Sequence, residues 1–218
     1  MKDKPSLLII GNSNVGKSSI TRLLLPNPKK FKGKAGKSPG STLLIKSINQ
    51  EKLPYQIVDL PGFGYMKHSS QRRQEHIKQQ IVTHIEKYHS NYFFGLVIIN
   101  ILRIEDEINK YYIQNKETIP LTFELIKFLD EFKIPFLVIM NKVDKLSNFD
   151  VKKSINIFLS SAKDYGLNLI HLNDFNNENL QVIPYLEFSA LKKINVGKLK
   201  GIIHKYLNKK VRHASGTL

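Results

Sequence analysis

Cysteine is absent from this sequence of 218 residues, which excludes disulfides, thiolate metal sites and cysteine nucleophiles. Long apolar runs are missing too. The longest, Phe93 to Leu102, falls far short of the roughly 20 residues that span a bilayer. The run Leu7 to Ile10 leads straight into a Gly-bearing turn and is too short for a signal peptide. The expectation is a cytoplasmic protein without stable membrane insertion. Acidic residues are scarce, 18 Asp and Glu against 34 Lys and Arg, for a formal charge of +16. Such an excess suits a polyanionic partner, nucleic acid or an anionic membrane face, because it speeds encounter and releases counterions. A solvated basic surface is the plainer alternative.

The rest of the composition is that of a folded domain. Apolar residues make up 41% and charged residues 24%, which argues against disorder, collagen and coiled coil. The length suits one domain or at most two. Short apolar runs alternate with amphipathic stretches, the pattern of a mostly parallel α/β sheet. Six strands are expected, over Ser6–Ile10, Leu43–Ile48, Tyr55–Leu60, Phe93–Ile101, Pro135–Met140 and Val182–Phe188. Helices are expected over Gly16–Leu25, Ser69–His89, Leu121–Phe132, Phe149–Lys163 and Asn195–Leu207. Pro184 points to an edge position for the last strand. Pro26–Thr42 and Arg103–Pro120 look like loops, and residues 208–218 like a frayed, flexible basic tail.

Gly11-Asn12-Ser13-Asn14-Val15-Gly16-Lys17-Ser18 matches the pattern G-x-x-x-x-G-K-[ST], with a strand before it and a helix after it. Backbone N–H groups of such a loop form a nest for phosphate oxygens at the positive end of a helix dipole. Lys17 is placed to reach the β- and γ-phosphates, and the Ser18 hydroxyl to ligate Mg²⁺. Asn141-Lys142-Val143-Asp144 follows an apolar strand, at the sheet edge where open α/β proteins bind ligands. A carboxylate at Asp144 can accept from guanine N1–H and the exocyclic amine. Adenine offers neither donor there and would leave a partly buried carboxylate unpaired. Asn141 would tie this loop to the phosphate loop, and the Lys142 stem can lie along the purine face.

Asp59-Leu60-Pro61-Gly62 ends a strand 42 residues after Lys17. Asp59 can hold Mg²⁺ through water, and the Gly62 N–H can sense a γ-phosphate; a plain Pro-Gly turn is the alternative. Thr42, beside Gly40 and Ser41, is the candidate that closes over Mg²⁺, with Ser41 and Ser38 as rival hydroxyls. Phe188-Ser189-Ala190 follows the last strand, where a backbone N–H could meet guanine O6. His68, His76, His84 and His89 lack converging carboxylates and are read as surface or packing residues. Lys29, Lys30, Lys32, Lys34 and Lys37 cluster without an acid, and eight Lys and Arg lie between Phe188 and Leu218, again without an acid. Patches of this kind bind phosphate backbones without reading sequence.

In this order the motifs resemble the TrmE–Era–EngA–EngB–septin group of GTPases, and within it the EngB (YihA/YsxC) family. The residues that carry the resemblance are Gly11 to Ser19, Lys37 to Thr42, Asp59 to Tyr65, Asn141 to Lys145 and Ser189 to Lys193. The chain departs from the family's usual pattern at Asn12, Ser41 and Asn141, and over Ile104–Thr118. The resemblance implies a Ras-like P-loop GTPase domain, three-layer α/β/α with a six-stranded mostly parallel sheet. A single G domain over residues 1–207 and a monomer are expected. It also implies GTP and GDP binding with Mg²⁺, GTP hydrolysis as a molecular switch, and a role in large ribosomal subunit assembly, cell division and septation. Ribosomal RNA or the large subunit is then the implied partner. Phe63 stands where many Ras-like enzymes carry a water-orienting Gln. Related GTPases with an apolar residue there use a loop Asn and a bound K⁺, and Asn14 holds the matching position. A weakly catalytic guanine-nucleotide switch docking on a cell-division or membrane-linked protein is the alternative.

Overall fold

The computed structural model describes residues 4–31, 45–62, 71–110, 120–176 and 182–215. Among these residues seven strands form one sheet: β1 Ser6–Gly11, β2 Lys46–Ile48, β3 Gln56–Asp59, β4 Tyr92–Asn100, β5 Phe136–Asn141, β6 Leu169–His171 and β7 Ile183–Phe188. Their order is β2-β3-β1-β4-β5-β7-β6. All neighbours pair in parallel except β2 and β3. Among the described residues six α-helices accompany them: α1 Lys17–Leu24, α2 Gln71–Tyr88, α3 Ile104–Ile108, α4 Leu121–Glu131, α5 Asn148–Asp164 and α6 Val196–Ser215.

Central strands of a parallel sheet are apolar on both faces, and β1 shows why three layers result. Leu7 and Ile9 join a core with Ile20 and Leu24 of α1 and with Leu199, Ile203 and Leu207 of α6. Leu8 and Ile10, on the other face, meet Ile81 of α2, Phe123 of α4 and Ile155 and Phe158 of α5. Alternation along the strand thus assigns each helix to a layer. Every strand of the mostly parallel set delivers its carboxyl end to the same edge, where β1, β3, β5 and β7 give way to the candidate motif loops.

Four expectations are corrected. The sheet has seven strands, because the three-residue β6 pairs with β7 at Leu169↔Ile183, Ile170↔Pro184 and His171↔Tyr185. Pro184 is therefore not on an edge strand. It is tolerated because β7 pairs with β5 only from Tyr185 onward, opposite Val138, so no ladder bond asks for its missing N–H. Arg103–Pro120 is not wholly loop: α3 forms at its start and buries Ile104 and Ile108, a helical i, i+4 pair. Residues 208–215 are not a frayed tail either, since α6 continues through Ser215. Asn208 to Arg212 contains no Gly or Pro, and Lys and Arg are good helix formers. Lys210 Nζ also donates to Ser90 O at 2.9 Å.

Candidate functional site

The loop between β1 and α1 turns on Gly16, which caps the helix at φ 107°. A Cβ there would lie 2.2 Å from Asn141 Nδ2, so both conformation and space demand glycine. Lys17 folds back over the loop, its Nζ donating to Gly11 O at 2.9 Å and Asn12 O at 3.0 Å. Burial lowers the Lys17 pKa to about 8, partly offset by the Asp59 carboxylate. Asp59 is 1% exposed at the end of β3. Loss of water pushes its carboxyl up to about 6, against the pull of Lys17 and Lys46.

Among the described residues Asp59 Oδ1 is buried without a hydrogen-bond partner, as is Asn12 Oδ1. A buried carboxylate oxygen left unpaired is costly, and a cation relieves it. Together with the Ser18 hydroxyl it offers hard oxygen donors of the kind Mg²⁺ prefers, so these residues fit that metal. The turn after β3 rests on the phosphate loop. A Cβ on Gly62 would come within 2.7 Å of Ser13 Oγ and 2.9 Å of Ser13 N, which only glycine permits. Leu60 N donates to Ile9 O at 3.0 Å, fixing Leu60 and Pro61 beside β1.

The loop after β5 is joined to its neighbours at both ends of one amide. Asn141 Nδ2 donates to Val15 O at 2.7 Å, and Asn141 Oδ1 accepts from Ala190 N at 3.1 Å. Lys142 takes a left-handed turn at φ 74° and donates from Nζ to Asn14 O at 2.7 Å. Burial and the nearby Arg103 hold its pKa below the usual lysine value, against the Asp144 carboxylate. The Asp144 side chain is 6% exposed, and Lys145 Nζ lies 4.0 Å from its Oδ2. Its Oδ1 accepts from Ser189 Oγ, which itself accepts from Lys192 N at 2.9 Å. Phe188 is fully buried at the end of β7. Beyond it, a bridge between Ser189 and Ile194 and Asn195 Nδ2 donating to Glu187 O at 2.8 Å close the loop.

Residues Gly11–Ser19, Asp59–Gly62, Asn141–Lys145 and Phe188–Ala190 thus lie along the carboxyl edge of one sheet. Gly40, Ser41, Thr42 and Phe63 lie outside the described residues. Lys46 was missed by sequence reasoning. It faces Asp59 in the antiparallel β2–β3 register, a relation visible only once that register is known. The Ser189–Lys192 and Asn195–Glu187 bonds were missed as well; an S-A-x-x turn closing onto a helix was the available signal.

Comparison with known proteins places this geometry. Residues 6–142 match the family described as 50S ribosome-binding GTPase, so the fold is that of a P-loop GTPase domain. A "Probable GTP-binding protein EngB" from Methanococcus aeolicus is 31% identical over 156 residues, 72% of this chain and 65% of that protein. One of the same name from Pyrococcus horikoshii is 33% identical over 165 residues, 76% of this chain and 71% of that protein. The crystal structure of a probable GTP-binding protein EngB matches with a TM-score of 0.71 and 27% identity, over 94% of this chain and 99% of that one. The chain belongs to the EngB family of GTP-binding proteins. Its match spans just under two-thirds of the Methanococcus protein's length.

Proposed function

We propose that this chain binds GTP and GDP with Mg²⁺, hydrolyses GTP to GDP and phosphate, and uses the cycle as a molecular switch. The observation that carries the reading is the buried Asp144 carboxylate, aimed by Ser189 and held beside the phosphate loop by Asn141. A carboxylate so fixed takes two donors from guanine, while the Lys142 stem lies along the base and the Ala190 backbone lies near its O6 edge. Nested backbone N–H groups of residues 13–18 hold the phosphates. Lys17 exchanges its two carbonyl acceptors for β- and γ-phosphate oxygens.

Ser18, Asp59 through water, and Thr42 would hold Mg²⁺, which when bound neutralises charge on the β- and γ-oxygens. Gly62 N–H senses the γ-phosphate. Phe63 cannot position water, so Thr42 and the switch backbone orient it. Asn14, exposed at the loop tip with its carbonyl already taken by Lys142, would offer its side-chain oxygen to K⁺. The family's description and the +16 charge support ribosomal RNA of the large subunit as partner; the cytoplasmic setting and roles in subunit assembly and cell division follow from the resemblance to the EngB family.

Phosphate release tests the reading. GTP and not ATP is expected to be turned over, only with Mg²⁺, and faster in K⁺ than in equal Na⁺. Asn14→Ala is expected to erase the difference between salts while GDP still binds. Bound GTP that never turns over, even with ribosomal particles present, would leave the weakly catalytic switch as the better account.

A further inference from the structure

The two helical layers differ in charge. α1 and α6 contain no Asp or Glu, whereas α2, α3, α4 and α5 carry ten between them. In the acidic layer two lysines are paired with carboxylates, Lys78 with Glu124 at 3.9 Å and Lys153 with Glu105 at 3.1 Å. The continuation of α6 to Ser215 has a geometric consequence. At 3.6 residues per turn, Lys198, Lys205, Lys209 and Arg212 fall within about 60° of one another around the helix axis, along about 21 Å of its length. All four are exposed, and among the described residues none pairs with a carboxylate. Lys198 donates to Asn173 Oδ1 at 2.9 Å and Lys209 lies over the Tyr206 ring; both contacts leave the charge uncompensated.

We infer that this stripe on α6 is a docking surface for the phosphate backbone of RNA, separate from the nucleotide site. The inference rests on the proposed RNA partner and names the surface that meets it. Four unpaired cations in line match a polyanionic strand, and phosphate contacts of this kind position a protein without reading bases. A lipid surface fits less well, because an interfacial helix inserts an apolar face. Here Leu199, Ile202, Ile203 and Leu207 are buried in the core, and Val211 is the one large apolar side chain of α6 that is strongly exposed among the described residues.

The test uses the full chain with Lys198, Lys205, Lys209 and Arg212 all changed to Gln, against a control with Lys127, Lys152, Lys153 and Lys163 changed to Gln. Binding to a large-subunit ribosomal RNA fragment is followed by anisotropy across KCl concentrations. Binding of labelled GDP confirms that both variants are folded and keeps this test separate from that of the GTPase reading. The stripe variant is expected to bind RNA at least tenfold more weakly at moderate salt. Its log–log salt slope is expected to be shallower by about 3, as four lost phosphate contacts require, with GDP affinity unchanged. The control is expected to keep most of the wild-type slope. Equal losses in both variants would overturn the stripe in favour of net charge alone. So would an unchanged slope in the stripe variant, or tighter binding of the wild type to phosphatidylserine vesicles than to RNA with the same dependence on these four residues.

Discussion

The two ends of the nucleotide site are built on opposite principles. At the base end the polar side chains are held in place by protein: Asn141 bridges Val15 and Ala190, and Asp144 is fixed through its Oδ1 by Ser189 while its Oδ2 accepts no hydrogen bond among the described residues. At the phosphate end Asp59 Oδ1 and Asn12 Oδ1 are buried and find no partner among the described residues, and Lys17 is desolvated against carbonyls it would release to bind phosphate. A satisfied network is rigid and specifies one geometry. Unsatisfied buried charge stores free energy that a bound phosphate and cation can recover. On the proposed reading, recognition of the base is prepaid in structure, while affinity for phosphate and metal would arise on binding. Asn141 is the hinge of the comparison because it belongs to both ends.

The largest expected effect comes from breaking the phosphate end. Lys17→Ala removes charge-assisted hydrogen bonds worth about 1.5–3 kcal/mol each, so affinity for GDP and GTP is expected to fall roughly 10²-fold or more in a fluorescent-nucleotide titration. Discrimination between guanine and xanthine bases is expected to persist. If selectivity fell along with affinity, the two ends would not be separable.

Next comes the joint. Asn141→Ala leaves Val15 O and Ala190 N without their partner, a cost of about 2–6 kcal/mol in total at typical values for buried groups. Thermal unfolding should show the loss already in nucleotide-free protein. GDP should restore less stability than it does in wild type, because both ends have shifted. An effect confined to the nucleotide-bound state would contradict the bridging role.

A smaller effect is expected from pH, and it separates the ends. Between 3.8 and about 6 the folded protein holds the Asp59 proton more tightly than the unfolded chain, so this group's contribution to stability falls as pH rises. Between about 8 and 10.5 the unfolded chain holds the Lys17 proton more tightly, so stability rises with pH. The charged pair is thus most costly to the nucleotide-free fold between about 6 and 8. Affinity for Mg²⁺–GDP, which needs both groups charged, should be greatest in that same window and decline on either side. Calorimetric titration across pH checks this, and a flat profile from 5 to 9 would argue against it.

Much of this arrangement was legible in the sequence because its signals are local. The phosphate loop, Asp59 and Asn141 each sit at the end of an apolar run, and in a parallel sheet such ends converge. What was not legible depended on register or on tertiary context. β6 has three residues and no alternation long enough to see. Pro184 was read by a rule for edge strands, yet its tolerance depends on where pairing with β5 begins. The end of α6 was read as tail because apolar periodicity stops at Leu207, whereas helix propensity and the Lys210–Ser90 contact carry it further. Lys46 joined the Asp59 environment through a hairpin register that composition does not encode.

The central claim is that a pre-fixed Asp144 carboxylate selects guanine independently of the phosphate end. Asp144→Asn tests it most directly, since Asn can still accept from Ser189 Oγ while presenting a changed edge to the base. Competition between GDP and xanthosine diphosphate for this variant is the measurement. The account predicts that GDP affinity falls about 10²-fold, as two hydrogen bonds to a charged group are lost. Xanthosine diphosphate is expected to become the preferred ligand, with the pH profile set by Lys17 and Asp59 unchanged. Undiminished GDP affinity in the variant, with no gain for the xanthine nucleotide, would contradict the assignment of Asp144 to the base.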